Sequence, residues 1–160
     1  YAGEEVAFIA RRIMICASED VGNADPRALT VAVSAAQAVE RIGMPEAQII
    51  LSQAATYVAC APKSNSACNA IFAANEEVRR SGNLPIPAHL QDAHYKGAAK
   101  LGHGTGYKYA HDYPNHYVEQ QYLPYELTGK KYYEPSWNGY EAKIREHMKR
   151  IKDEAKQKED

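Results

Sequence analysis

Three histidines and an aspartate near the middle of the chain are the side chains best suited to holding a metal ion. His103, His111, Asp112 and His116 fall in one glycine- and tyrosine-rich stretch. Imidazole and carboxylate groups bind zinc, but these spacings match none of its common patterns and the cysteines lie elsewhere. The alternative is that the imidazoles hydrogen-bond to carbonyls or phenols, which is the more common role. We therefore predict no metal site and leave the role of the three histidines open.

A phosphate-binding loop would be the other source of chemistry. Such a loop ends a glycine-rich run with Lys-Ser or Lys-Thr, so that N–H groups and the ammonium hold phosphates. Lys63-Ser64 has no glycine before it, and Gly129-Lys130-Lys131 lacks the hydroxyl. The run from Gly102 to Gly106 follows a predicted helix, which favours a helix end and a tight turn. We expect no catalytic residue and no cofactor in this chain, and hence no enzyme.

The three cysteines are predicted to be packing residues. Cys16, Cys60 and Cys68 each lie in an apolar stretch, where the thiolate that a nucleophile needs is disfavoured. An odd number of cysteines in such surroundings is typical of reduced thiols rather than of a disulfide framework. This usage indicates a cytoplasmic protein.

Lysines alternate with tyrosines in two places, and this pattern is typical of surfaces that contact single-stranded DNA. Tyr107-Lys108-Tyr109 is one, and Lys130-Lys131, followed by two tyrosines, is the other. The formal net charge of -1 gives the whole chain no attraction for polyanions. The alternative is that the rings are buried and the charges solvate the surface, and acidic neighbours such as Glu134 favour it. DNA contact is therefore our second hypothesis.

The elements that must position these groups are mostly helices. The chain has 160 residues, of which 45% are hydrophobic and 24% charged, as expected for a globular domain with a core. No apolar run is long enough to span a bilayer, so we expect no membrane partner. The chain opens at Tyr1 without an initiator methionine, and we expect it to be a piece of a longer protein.

Apolar periodicity and helix-end signals predict a mainly α fold with a helical, bundle-like body. Asp25 and Pro26 begin one helix, and Gly43 and Gly82 end two others. The last helix should carry ion pairs of Glu141 with Arg145 and of Glu146 with Arg150. The predicted helices span residues 4–18, 26–42, 45–61, 87–101 and 139–158, and a further helix begins at a cap of Ser64 or Ser66 and stops at Gly82.

The region between the last two helices is rich in tyrosine and proline, and we expect it to cover the helices with short strands and turns. We divide the chain into a helical oligomerisation domain (1–101), a tyrosine-rich segment (102–138) and a C-terminal helix (139–160), in one structural unit.

The second helix is apolar over nearly its whole circumference, and a helix of this kind must be surrounded. Ala32, Ala35 and Ala36 let another backbone approach closely, so we predict a subunit interface there. Self-association with closed symmetry is our first hypothesis.

Several strings resemble the replication-associated recombination protein A family, also called RarA or MgsA, which includes the Werner-helicase-interacting ATPases of eukaryotes. They cover the chain in order. The strings are Phe8-Ile9-Ala10-Arg11-Arg12, the run from Ala17 to Pro26, the run from Ala38 to Glu46, Ala61-Pro62-Lys63-Ser64-Asn65, the run from Gly106 to Asp112, Gln120-Gln121-Tyr122-Leu123-Pro124 and Tyr132-Tyr133-Glu134-Pro135.

This resemblance implies a parent that is a DNA-dependent AAA+ ATPase of replication, recombination and repair at stalled forks. Its ATP- and magnesium-binding residues would precede Tyr1. The region seen here would be similar to the helical collar of clamp loaders and would assemble into a homotetramer. The family also implies DNA and single-stranded-DNA-binding protein as partners, and an association with the nucleoid.

Overall fold

Five α-helices account for most of the regular structure in the computed structural model, which describes residues 3–156. This confirms the prediction of a mainly α fold. Within the described residues, no helix has the length and apolar character that a membrane span requires. The helices are α1 (Val6–Cys16), α2 (Arg27–Ile42), α3 (Ala47–Cys60), α4 (Ser66–Ser81) and α5 (Tyr140–Lys156).

The predicted helix ends are confirmed where the sequence carried a capping signal. The carboxylate of Asp25 accepts the N–H of Arg27, the first residue of α2, at 3.1 Å. The N–H of Gly43 is bonded to the carbonyl of Val39 at 3.1 Å, which closes the last turn of α2. Ser64 Oγ accepts the N–H of Ser66 at 3.2 Å, at the start of α4.

The helix predicted over residues 87–101 is wrong. Only two 3₁₀ turns form there, Ala88–Leu90 and Ala98–Leu101. Between them, the Asp92 carboxylate accepts the N–H of His94 at 2.9 Å, a local turn that competes with helix formation. Gly97 follows at φ 100°, a conformation outside the right-handed helical region.

The short strands expected in the tyrosine-rich segment are also absent from the part of the chain that the structure describes. The segment folds as single 3₁₀ turns, which satisfy their backbone groups locally instead of through a ladder. Prolines and positive-φ residues separate these turns and prevent an extended run. The turns are Ala110–Asp112, Pro114–His116 and Tyr125–Leu127.

The chain divides into two compact units that do not follow the predicted boundaries at residues 101 and 138. Unit 1 comprises Tyr1–Ala73 and Tyr132–Arg145, and unit 2 comprises Ala74–Lys131 and Glu146–Asp160. Both α4 and α5 contribute residues to each unit.

The core of unit 1 lies between α1, α2 and α3 and is lined largely by alanine. Small side chains let the helix axes approach closely, so α2 packs on both of its neighbours. One cluster of buried residues consists of Ala17, Val21, Ala28, Ala32 and Val58, and the other of Ala10, Val39, Ala47 and Leu51.

A π turn (Ala17–Val21) and a 3₁₀ turn (Gly22–Ala24) join α1 to α2 and bind the start of α4. The N–H of Ser64 donates to the carbonyl of Asp20 at 2.8 Å. A Cβ atom on Gly22 would lie 2.8 Å from the carbonyl oxygen of Ser64, so this approach requires glycine. Ser64 itself lies within hydrogen-bonding distance of Glu141, in the first turn of α5.

In unit 2, polar contacts hold much of the tyrosine-rich segment. Lys130 forms an ion pair with Glu77 of α4 at 3.1 Å. Asn115 donates a hydrogen bond to Glu154 of α5. Few side chains in this unit are buried; Pro87, Ala98 and Val118 are its buried apolar residues among those described.

Candidate functional site

A buried carboxylate organises the polar end of unit 1. Glu141, in the first turn of α5, is completely inaccessible to solvent. It accepts hydrogen bonds from Ser64 Oγ at 2.6 Å, Tyr133 Oη at 2.9 Å and the N–H of Ser136 at 2.7 Å. Burial alone would raise the pKa of Glu141, but the bonds from Ser64, Ser136 and Tyr133 outweigh it and the pKa lies below its usual value. The group is therefore a buried, ionised carboxylate held by neutral donors.

The predicted ion pair between Glu141 and Arg145 is wrong, because the tertiary hydrogen bonds of Glu141 take precedence over the i,i+4 contact. Arg145 donates to the carbonyl of Pro135 instead, and its guanidinium carbon lies 4.8 Å from the ring centroid of Trp137. The second predicted pair is also wrong, since Arg150 contacts Glu154 at 3.9 Å rather than Glu146.

Sequence reasoning missed the most exposed aromatic residue of the molecule's described part. Trp137 is 69% exposed, and it stands in the turn between Pro135 and α5. Tyr140 is half exposed, with the ammonium of Lys143 at 6.0 Å from its ring centroid. The available signal was a tryptophan between a proline and a glycine, at a predicted helix start.

The predicted DNA-contact residues are all found in unit 2. Tyr107 and Tyr109 are 50% and 54% exposed, so the rings are not buried as the alternative required. Lys108 is exposed and its ammonium lies 3.4 Å from the carbonyl of Glu119. Lys131 is also exposed.

Lys130 has a structural partner. Its ammonium lies 3.1 Å from the carboxylate of Glu77, which also accepts from Arg80 at 2.5 Å. The contacts of Arg80 and Lys130 hold the pKa of Glu77 below its usual value, against the opposing effect of burial. A lysine whose charge is already matched in this way contributes less to phosphate binding than an unpaired one.

The three alanines predicted at a subunit interface occupy different environments. Ala32 is 1% exposed and belongs to the core of unit 1. Ala35 is buried and borders a groove between α2 and α3. Ala36 is half-buried and borders a groove of about 360 Å³ between α1 and α2. Only the last two adjoin open space.

The histidines do not converge. His103 Nδ1 lies 2.6 Å from the hydroxyl of Tyr95, whereas the rings of His111 and His116 lie 4.8 Å apart. Among residues 3–156, no three histidine, cysteine or acidic side chains are grouped so as to hold a metal. Cys60 is exposed, so the prediction of a packing role is wrong for that cysteine.

Helix α4 has its apolar side chains outside and an acid inside. Glu77 is buried in this helix. In contrast, the large apolar residues Ile71, Phe72 and Val78 are each more than half exposed, and Phe72 is 61% exposed. Apolar side chains usually face the core and acids face water, so this distribution is the reverse of the common one. Within residues 3–156, the outer surface of α4 therefore exposes large apolar side chains.

Comparison with known proteins identifies the family of this chain. A family model described as MgsA AAA+ ATPase C terminal matches residues 1–152. An uncharacterized AAA domain-containing protein of Mycobacterium tuberculosis is 51% identical over 151 residues, which are 94% of this chain and 33% of that protein. Replication-associated recombination protein A of Bacillus subtilis is 47% identical over 135 residues, 84% of this chain and 32% of the relative.

A eukaryotic protein is also similar. ATPase WRNIP1 of Dictyostelium discoideum is 38% identical over 134 residues, 83% of this chain and 15% of that protein. The chain thus spans about one third of the length of the two bacterial relatives. Because the family model spans nearly all of it, the chain belongs to the C-terminal family of the MgsA-type AAA+ ATPases.

Proposed function

We propose that this chain is a self-association module, which assembles four copies of an AAA+ ATPase into a closed tetramer. The observation that carries this proposal is the reversed polarity of α4, whose large apolar side chains Ile71, Phe72 and Val78 are more than half exposed. A contiguous apolar surface is a common mark of a protein–protein interface. Closed symmetry is the usual arrangement for identical subunits.

The magnitudes favour an interface wider than α4. Burying a large apolar side chain completely contributes about 1.5–3 kcal/mol, so the remaining exposed halves of Ile71 and Phe72 contribute roughly 1 kcal/mol each. Association costs about 4–15 kcal/mol, which these two residues alone do not offset. Further large apolar side chains on unit 1 are exposed and available to the same end: Phe8, Ile15, Leu29, Val33, Ile42, Met44 and Ile49.

The parent protein would supply the chemistry. We propose that it hydrolyses ATP with magnesium, acts on DNA at stalled replication forks in the cytoplasm, and meets single-stranded-DNA-binding protein there. Support comes from two relatives, one named a replication-associated recombination protein and the other an ATPase.

Light scattering coupled to size-exclusion chromatography tests self-association directly. The chain at micromolar concentration should elute with the mass of a tetramer. The double variant I71D/F72D should elute as a smaller species with unchanged helicity, because charged side chains oppose burial at the interface. The matched control is Ala73→Asp, an exposed change on the same helix about 160° around the axis from Ile71, which should leave the tetramer intact. A wild-type monomer at these concentrations would refute the proposal.

A second candidate function is contact with single-stranded DNA through Tyr107, Lys108 and Tyr109. The exposure of both rings favours it, because bases stack only on accessible rings. The variant Y107A/Y109A should bind a labelled oligonucleotide more weakly in fluorescence anisotropy, and wild-type binding should weaken as salt rises. Equal affinity of wild type and variant would remove this candidate.

A further inference from the structure

The turn that precedes α5 displays the chain's single tryptophan on a rigid support. The N–H of Ser136 is bonded to the buried Glu141, and Asn138 donates to the carbonyl of Lys63 at 2.9 Å. The N–H of Glu141 closes the turn on the carbonyl of Asn138 at 3.2 Å. These bonds fix the backbone on both sides of Trp137, although its side chain faces solvent. The backbone bonds thus present the indole to solvent from a well-supported turn.

Two cations accompany the two exposed rings. The guanidinium of Arg145 is stacked on one face of the Trp137 indole at 4.8 Å, and Lys143 lies beside Tyr140 at 6.0 Å. Within residues 3–156 neither cation forms an ion pair; the polar contact of Arg145 is the carbonyl of Pro135. The oxygens of Glu141 are occupied by three uncharged donors, and this carboxylate forms no ion pair with Arg145 among the described residues. The surface therefore offers flat rings and unmatched positive charge together.

We infer that Trp137 and Tyr140 form a binding site for the unpaired bases of single-stranded nucleic acid. The open face of the indole stacks on one base, and the Tyr140 ring, three residues further on, contacts a neighbouring one. Lys143 and Arg145 face the phosphates of the same strand, and the guanidinium strengthens stacking by polarising the indole. The site contacts the flat faces of the bases and the phosphates of the strand, so it has little preference for nucleotide sequence.

This site is independent of self-association and of the Tyr107–Tyr109 segment. It lies in unit 1 and uses none of the apolar side chains of α4. Alternative occupants of an exposed tryptophan beside an arginine exist, notably a protein partner, because both residues are frequent in protein interfaces. The unmatched positive charge at both rings and the flat accessible indole favour the nucleic acid.

The single tryptophan makes the site its own probe. Excited at the red edge of protein absorption, where the twelve tyrosines contribute little, Trp137 reports on its own contacts. Addition of oligothymidylate to the 160-residue chain at low salt should quench this emission, because the stacked base lies in van der Waals contact with the indole. Quenching should saturate at the same concentration as the anisotropy of a labelled strand.

Substitutions assign the effect. Trp137→Ala should raise the Kd for the oligonucleotide about tenfold, the loss expected for one stacked base. Trp137→Phe should restore part of it. Lys143→Gln should lower the slope of log K against log salt by about 0.7, the value for one phosphate contact on a single strand. The control is Tyr125→Ala, which removes another exposed ring that has no cation beside it and should bind as wild type.

Thermal unfolding and light scattering show whether weaker binding by Trp137→Ala reflects loss of the ring or a change in stability or assembly. The thermal unfolding of Trp137→Ala should match that of wild type, and its mass by light scattering should also be unchanged, whether or not the chain is a tetramer. Binding without quenching, or wild-type affinity in Trp137→Ala, would overturn the inference, as would the absence of any binding at low salt. None of these results bears on the role of α4.

Discussion

Two glutamates are buried among the residues that the structure describes, and they are stabilised in opposite ways. Glu141 in unit 1 accepts hydrogen bonds from two hydroxyls and one backbone N–H, all uncharged. Glu77 in unit 2 faces two cations, Arg80 at 2.5 Å and Lys130 at 3.1 Å. Both carboxylates have a pKa below the usual value, but for different reasons.

The two sites differ in how precisely the surrounding atoms must be placed and in whether the negative charge is neutralised. Neutral donors leave the charge of Glu141 in place, and they are effective only at short distances in fixed directions, so the surrounding backbone is closely specified. The cations around Glu77 tolerate more variation, because Arg80 and Lys130 have long side chains that are substantially exposed. Exposed charges are also screened by salt. The neutral site should therefore be stronger, and indifferent to ionic strength.

The largest effect is expected from Glu141→Ala. This change leaves three donors without an acceptor in a buried place, each at a cost of about 1–3 kcal/mol, so we expect a loss of at least about 3 kcal/mol in the free energy of unfolding. Chemical denaturation monitored by Trp137 emission would measure it. A loss below about 1 kcal/mol would contradict the assigned importance of this network.

The same carboxylate links stability to pH. Since the folded pKa of Glu141 is lowered, its contribution is fully present above the ordinary glutamate value of 4.5 and is lost as pH falls through the folded pKa. Wild-type stability should therefore decline below about pH 4.5, and Glu141→Gln should flatten that decline. Denaturation curves at several acidic pH values provide the measurement. An equally steep decline in the variant would assign the acid sensitivity to other groups.

Glycines beside the two glutamates give a matched pair of backbone tests. Gly139 has φ 54°, and a Cβ there would meet Pro62 Cγ at 2.6 Å and the carbonyl of Ala24. Gly129 has φ 79° but open space around it. Gly129→Ala should cost about 1 kcal/mol for the left-handed backbone alone, and Gly139→Ala at least about 2 kcal/mol, since steric conflict is added. Equal losses would mean that the tight approach of unit 1 relaxes easily.

A smaller loss is expected from removal of one neutral donor. Tyr133→Phe deletes the hydroxyl that donates to Glu141 and accepts from Asn23 at 3.3 Å. The other two donors of Glu141 remain, so unfolding should cost about 1 kcal/mol less than in wild type. Thermal unfolding measures the change. A loss as large as that of Glu141→Ala would show that the three donors act as one unit.

The smallest effect should come from Lys130→Met, which keeps the aliphatic part of the side chain but removes its charge. Lys130 is partly exposed and Arg80 remains beside Glu77, so the loss should be less than that of Tyr133→Phe and should shrink as salt is added. Denaturation at low and high salt tests this. Tyr133→Phe is the internal control, because its loss should not change with salt.

Local signals predicted the first four helices and α5, but not the two buried acids. Capping at Asp25 and the stop at Gly43 depend on neighbours a few residues away, which the sequence displays directly. One of the three partners of Glu141 is Ser64, at a separation of 77 residues, and no periodicity relates the two positions. The i,i+4 rule therefore assigned Glu141 to Arg145, and that error also concealed the stacking of Arg145 on Trp137.

The tyrosine-rich segment shows the same limit. Its composition was typical of half-buried, pleated structure, yet strands need a partner ladder, and turns such as Ala110–Asp112 and Tyr125–Leu127 bond their backbone groups locally. The exposure of Tyr107 and Tyr109 was likewise undetermined by sequence, since buried and solvent-facing tyrosines obey the same pattern. Contacts between side chains of distant segments could therefore not be predicted from the sequence.

The alanine-lined contacts between α1, α2 and α3 have a consequence for how shape changes are transmitted. Alanine has no rotamers, so residues such as Ala28, Ala32 and Ala47 lose no side-chain entropy on folding and have no alternative packing to adopt. A core of this kind has a single arrangement, in contrast to cores rich in methionine, which readily repack. The three helices should therefore move as one rigid piece, and a change of shape in this unit must be taken up at their ends.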